Sequence, residues 1–100
     1  MLDEGTILRQ WAARGFSGGV WEDHPQQIRS GFVHAENKLM MVVAGEVELE
    51  VAGERRALSP GEEIFIPAGT RHTIRTLGAS DARWLYAYAA RQTRLQMAAY

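Results

Sequence analysis

The 100-residue chain has no cysteine and a single lysine. The absence of cysteine excludes disulfides, thiolate metal ligands and cysteine nucleophiles. No apolar run approaches the roughly 18 residues that a membrane-spanning helix needs, and Asp3 and Glu4 put acids where a signal peptide carries bases. The net charge of −1 lacks the basic excess of a typical nucleic-acid-binding protein. These absences indicate a cytoplasmic protein that binds neither membranes nor nucleic acids.

Turn residues recur at short intervals along the chain, and the segments between them are rich in β-branched and aromatic residues. Many short strands at even spacing are typical of a β-sandwich or barrel, and 100 residues suit one domain. The sequence therefore predicts a single all-β domain over residues 1–100, built of antiparallel sheets. Strands are expected at 6–11, 19–22, 28–34, 39–44, 46–51, 55–58, 63–66, 71–77 and 82–90.

Strict alternation marks two of these strands. In residues 46–51 every second residue is a glutamate, so the intervening valines and leucine are expected to face the core. Arginines at 55 and 56, on the following strand, would offset the repulsion within the row of glutamates. In residues 71–77 the same alternation points His72 inward, together with Ile74 and Thr76.

The last strand, residues 82–90, is apolar on both faces, with three aromatic residues on one face and leucine and alanine on the other. Such a strand usually has both faces covered, and one small barrel covers only one of them. We expect a second subunit to cover the other face, which predicts a homodimer. The alternative cover is the tail, residues 91–100, folding back as a short helix.

Residues 61–72 carry the most specific motif of the chain. They read Gly, five residues, Pro, one residue, Gly, two residues, His, which corresponds to a turn, a short strand, a second turn and His72 on the next strand. This pattern resembles the second conserved motif of the cupin family. The resemblance covers roughly residues 28–90 and implies a double-stranded β-helix, or jelly-roll, barrel.

The first cupin motif, which normally reads H-x-H, three or four residues, E, six residues, G, is degenerate in this chain. When the motif is aligned on Gly45, His34 stands at its second histidine, Phe32 at its first and Lys38 at its glutamate. The chain is also similar to short bacterial cupins in the stretches 19–23 and 82–86. That likeness implies no single activity.

Cupins typically hold a metal ion with three histidines and a glutamate, and the resemblance leaves His34 and His72 for that role. Glu36 is a third candidate, because on a regular strand it shares the face of His34. Two histidines and a carboxylate would form a facial triad suited to a divalent metal such as iron, manganese, zinc or nickel. Lys38 indicates the opposite, because a cation on that face repels the ion. A bound metal therefore stays an open alternative.

The remaining pocket residues have alternative interpretations. Phe32, Lys38, Met40 and Ile74 are expected to line the pocket, and Phe32 and Met40 would make it more apolar. Lys38 would anchor an anionic ligand, act as a nucleophilic amine, or extend its charged end to solvent at the rim. Glu36 would pair with it or ligate a metal.

Three functions fit these residues. The first is a metal-dependent enzyme acting on a small molecule, and the second is a metal-free cupin that binds or senses a small molecule. The third is a structural dimer whose pocket is a relic. The sequence identifies neither the ligand nor any catalytic residue, and it leaves open whether the protein is an enzyme.

Overall fold

The structure is a computed structural model that describes residues 2–89. Within that part of the chain, one helix precedes eight strands. The elements are α1 (Glu4–Ala13), β1 (Phe16–Asp23), β2 (Ile28–Phe32), β3 (Lys38–Ala44), β4 (Glu46–Val51), β5 (Glu54–Leu58), β6 (Ile64–Ile66), β7 (His72–Leu77) and β8 (Ala82–Ala89). None of the helices in these residues is long and apolar enough to span a membrane.

Two four-stranded sheets make the body of the fold, in the orders β1-β8-β3-β6 and β2-β7-β4-β5. All the strand pairs are antiparallel, so the predicted all-β jelly-roll architecture is confirmed. The main core lies between the two sheets. Its fully buried members include Met40, Val42, Val47, Ile74 and Trp84.

The glutamate row of β4 is neutralised mainly from its other neighbour, β7. Arg55 of β5 lies opposite Glu50 in the register, with its Nε atom 3.5 Å from the carboxylate. Arg75 of β7 comes closer, at 2.7 Å from Glu50 and 3.4 Å from Glu48. The predicted offset of the acid row is therefore present, with an arginine from each side of the strand.

The strand expected at residues 6–11 is wrong, because this segment belongs to helix α1. Asp3 caps the helix by accepting a hydrogen bond from the Thr6 backbone N–H at 3.1 Å. Ile7, Leu8 and Trp11 follow the one-face spacing of a helix, and Trp11 is only 1% exposed. The apolar residues of this segment follow the period of a helix and not the two-residue period of a strand.

Within the described residues, helix α1 covers the outer face of β8. Trp11 packs there in a second buried cluster with Leu39, Met41, Leu85 and Ala87. The helix thus supplies the cover that the sequence assigned to a partner chain. The alternative cover, residues 91–100, lies outside the described residues. The homodimer stays a prediction, but an uncovered face of β8 no longer supports it.

Candidate functional site

A cavity of about 310 Å³ is lined by residues of both sheets. Phe32, Lys38 and Ile74, three of the residues expected at the pocket, are among its lining. Met40 is not, because its side chain is fully buried in the core between the sheets. The lining is mostly aromatic. It consists of Trp21, Arg29, Phe32, Lys38, Ile74, Trp84, Tyr86 and Tyr88.

Lys38 begins strand β3, whose backbone pairs with Tyr88 on one side and Ile66 on the other. Its side chain points inward and is 4% exposed. The Nζ atom lies 5.3 Å from the centre of the Phe32 ring and 5.7 Å from that of Tyr88. Burial lowers the pKa of the Lys38 ammonium to about 8, and no carboxylate of the described residues counteracts this effect. Lys38 is therefore a wall residue of the cavity and does not extend to solvent at a rim.

His72 begins strand β7, directly after the turn that closes the second motif. Its Nδ1 atom lies 3.0 Å from the carbonyl oxygen of Thr70, and its Nε2 atom is buried without a hydrogen-bond partner among the described residues. Burial lowers the pKa of His72, so the imidazole is neutral at physiological pH. A neutral ring whose Nδ1–H donates to the carbonyl keeps Nε2 as an acceptor.

His34 lies beside His72, although the two are far apart in the sequence. Their ring centres are 5.5 Å apart, and both rings contact Phe32. The Tyr88 hydroxyl lies 3.4 Å from the Nε2 atom of His34. Burial and the neighbouring Lys38 ammonium lower the pKa of His34. The histidines do not line the cavity themselves, but both contact Phe32 and His34 also contacts Tyr88, and these two residues do line it.

Glu36 does not share a strand face with His34, because β2 ends at Phe32 and residues 33–37 form a loop. The Glu36 carboxylate still acts on His34 at longer range, where it partly opposes the lowering of the His34 pKa by burial and by Lys38. Within residues 2–89, no three His, Asp or Glu side chains gather closely enough to hold a metal ion. Two imidazoles beside a buried ammonium do not fit a tightly held divalent ion, which needs three or four protein ligands.

An ion pair between Arg29 and Asp23 forms part of the cavity wall. Two guanidinium nitrogens donate to the two Asp23 oxygens at 2.7 and 3.1 Å, and Asp23 is 5% exposed. The guanidinium also lies 5.5 Å from the Trp21 ring, which remains 42% exposed. The arginine lowers the pKa of the Asp23 carboxyl, which is therefore ionised at neutral pH.

Sequence reasoning missed most of the wall. Trp84, Tyr86 and Tyr88 were placed together on one face of the last strand, but that face was not connected with the pocket. Two features of the sequence connect this aromatic face with the pocket. They are the alternation of side chains along β8 and the inward-facing His72 on the opposite sheet. Trp21 and Arg29 had no such signal, because only the packing of β1 and β2 brings them to the cavity.

Comparison with known proteins gives a family and a fold. The sequence profile of the cupin domain family matches residues 19–88, and no curated protein matches significantly. A Cupin 2 conserved barrel domain protein from Salinispora arenicola CNS-205 is 20% identical, with a TM-score of 0.72 over 84% of this chain and 71% of its own.

Two other similar structures are described as enzymes. An oxalate oxidase is 21% identical, with a TM-score of 0.69, and the match covers 77% of this chain and 43% of that chain. A predicted oxalate decarboxylase from Thermotoga maritima is 16% identical, with a TM-score of 0.68 over 90% of this chain and 76% of its own. At such identities these structures establish the fold alone.

Proposed function

This chain belongs to the cupin domain family, and from that premise we propose that it binds a small organic anion with an aromatic or apolar body, without a metal ion. The cavity of about 310 Å³ is at the small end of ligand sites, which run from roughly 300 to 1,000 Å³. Five aromatic side chains in its wall offer apolar contact and ring stacking to such a body.

The buried ammonium of Lys38 is the observation that carries the proposal. A charged group that is 4% exposed and has no ion pair with residues 2–89 is costly unless another charge approaches it. An anion in the cavity would supply that charge. It would meet the ammonium in a place of low dielectric, where the attraction is stronger than in water.

The position of Lys38 supports the same conclusion. It stands where the cupin motif has a glutamate, which by resemblance would be a metal ligand. Exchanging that carboxylate for an ammonium reverses the charge of the position, so that it attracts an anion and repels a metal cation.

The two histidines would add polar contacts without adding charge. His72 presents a neutral Nε2 acceptor that lacks a partner in the described residues. Because His72 does not line the cavity itself and contacts Phe32 of its wall, a hydroxyl group on a ligand that extends past Phe32 would satisfy that acceptor, since it can donate a hydrogen bond. A few placed polar groups in an apolar cavity are the usual means of fixing the orientation of a ligand.

The metal-dependent alternative rests on His34 and His72 alone. The small number of ligands and the neighbouring ammonium both disfavour a resident ion. Iron, manganese, zinc or nickel at near-stoichiometric content in protein purified without a nickel column would contradict the proposal.

Benzoate tests the charge of the ligand, with neutral benzamide as its matched control. Because Trp21 and Trp84 line the cavity, their fluorescence reports occupancy directly. We expect benzoate to bind at least about tenfold more tightly than benzamide at neutral pH, a preference of ~1.4 kcal/mol. The variant Lys38→Met should lose that preference and keep its binding of benzamide. Equal affinity of the wild type for both compounds, or no binding of either, would refute the proposal.

A further inference from the structure

The lysine on the cavity wall also has the surroundings of a reactive amine. We propose that Lys38 forms an imine with a small aldehyde or ketone that enters the cavity. The proposal shares with the proposed function the premise that the cavity admits a small molecule, but it does not depend on the ligand being an anion. It concerns the neutral form of the side chain whose charged form would bind the anion.

The backbone fixes the amine in place. Lys38 belongs to a strand paired on both sides, so its Cα position is rigid. Its Nζ atom lies 5.3 Å from the centre of the Phe32 ring and 5.7 Å from that of the Tyr88 ring. The side chain is 4% exposed and lines the cavity. A molecule inside the cavity would therefore meet the amine at short range and away from most of the bulk water.

The surroundings of the amine favour its uncharged, nucleophilic form. No carboxylate of residues 2–89 forms an ion pair with Lys38, and its ring neighbours are apolar or neutral. Burial of an amine without an opposite charge disfavours the ammonium. Such desolvation is a recognised way of activating a lysine for addition to a carbonyl group.

The reaction balances without an oxidant or a reductant. The neutral amine adds to the carbonyl carbon, forming a C–N bond and turning the C=O group into a hydroxyl. Loss of that hydroxyl as water then breaks the C–O bond and forms the C=N bond, and both amine hydrogens leave in the water molecule. Tyr88, whose ring centre is 5.7 Å from the Lys38 Nζ atom, and His34, whose Nε2 atom is 3.4 Å from the Tyr88 hydroxyl, would give and receive the protons.

The composition of the chain makes the test clean, because Lys38 is the only lysine. Folded protein is incubated with benzaldehyde and cyanoborohydride at neutral pH, and the label is located by intact mass and peptide mapping. The amino terminus of the chain is the internal reference, since it labels independently of Lys38. Two controls are the same chain unfolded in urea and the variant Lys38→Arg, which keeps a cation but has no reactive amine.

We expect Lys38 to be labelled roughly tenfold or more faster in the folded chain than in urea, relative to the amino terminus. Benzoate should slow the labelling at Lys38 and leave the amino terminus unaffected. If Lys38→Arg fails to fold, the comparison of folded and unfolded wild type still decides the matter.

Labelling confined to the amino terminus, or equal rates at Lys38 in folded and unfolded protein, would overturn the inference. That result with normal benzoate binding would leave the proposed function standing. Rapid labelling of Lys38 without benzoate binding would support the imine and refute only the anion.

Discussion

Replacing Lys38 by methionine should stabilise the protein when no ligand is present. The side chain is 4% exposed, and burial lowers its pKa from 10.5 to about 8. Each unit of pKa difference between the folded and unfolded chain corresponds to ~1.4 kcal/mol of folding free energy. The charged lysine therefore destabilises the wild type by about 3 kcal/mol at neutral pH, and Lys38→Met removes this term while keeping a similar volume.

The pH dependence has a definite sign. The folded chain holds the Lys38 proton less tightly than the unfolded chain, so folding releases that proton between pH 8 and 10.5. The unfolded state binds more protons in this window, so the stability contributed by Lys38 rises with pH. Below about pH 8 the full penalty is present, and above pH 10.5 it has disappeared.

Urea unfolding of both proteins over a series of pH values measures the effect. We expect the methionine variant to be more stable by about 3 kcal/mol near neutrality, and the difference to shrink as the pH rises through the window. Both proteins share every other titratable group, so the difference between them isolates Lys38. A constant difference across the window, or a destabilised variant at neutral pH, would show that the ammonium is solvated or paired in a way that the structure does not describe.

Four further substitutions test other parts of the argument. Lys38→Glu places a carboxylate beside the two histidines and should bind Zn²⁺ with a stoichiometry near one by calorimetry. Lys38→Met removes the charge but adds no ligand, so it should not bind Zn²⁺. If neither variant binds Zn²⁺, the histidines are not arranged to hold a metal ion. Trp11→Ala should cost about 3–5 kcal/mol in urea unfolding, because Trp11 is 1% exposed and donates to Glu63 at 2.9 Å; a loss below about 1 kcal/mol would mean that α1 is not docked. Ala52→Gly should raise the thermal midpoint slightly and Gly53→Ala should lower it, because both turn residues have positive φ, at 53° and 82°; the opposite order would indicate another turn type.

The fold could be predicted because its signals are local and repeated. Alternation in β4 placed Val47 and Leu49 in the core, where they are 2% and 5% exposed. Alternation in β7 likewise placed His72 inside, at 1% exposed. The motif over residues 61–72 then linked these strands to one architecture. Each signal lies within a dozen residues, so no long-range contact was needed to read it.

The errors came from an overlooked local signal and from features that tertiary packing decides. Residues 6–11 contain apolar residues that fit a strand as well as a helix over so short a span, and the cap at Asp3 was the signal that distinguished them. The face of β8 that contacts α1 consequently appeared uncovered. Glu36 was placed on a strand face by extending β2 beyond Phe32, where the chain in fact turns into a loop.

A buried lysine that destabilises its own fold is informative about selection on the site. A penalty of about 3 kcal/mol is a large part of the 5–15 kcal/mol that holds a typical domain together, and any of several apolar residues at position 38 would remove it. Ligand binding to the folded state raises its stability with the logarithm of the free ligand concentration, once that concentration exceeds Kd. An anion that pairs with the ammonium, or a carbonyl compound that converts the amine to an uncharged imine, would each remove the penalty in the complex. The structural cost of Lys38 and its chemical usefulness therefore have the same physical origin, which is an amine held in an aromatic cavity with no carboxylate of the described residues to pair with it.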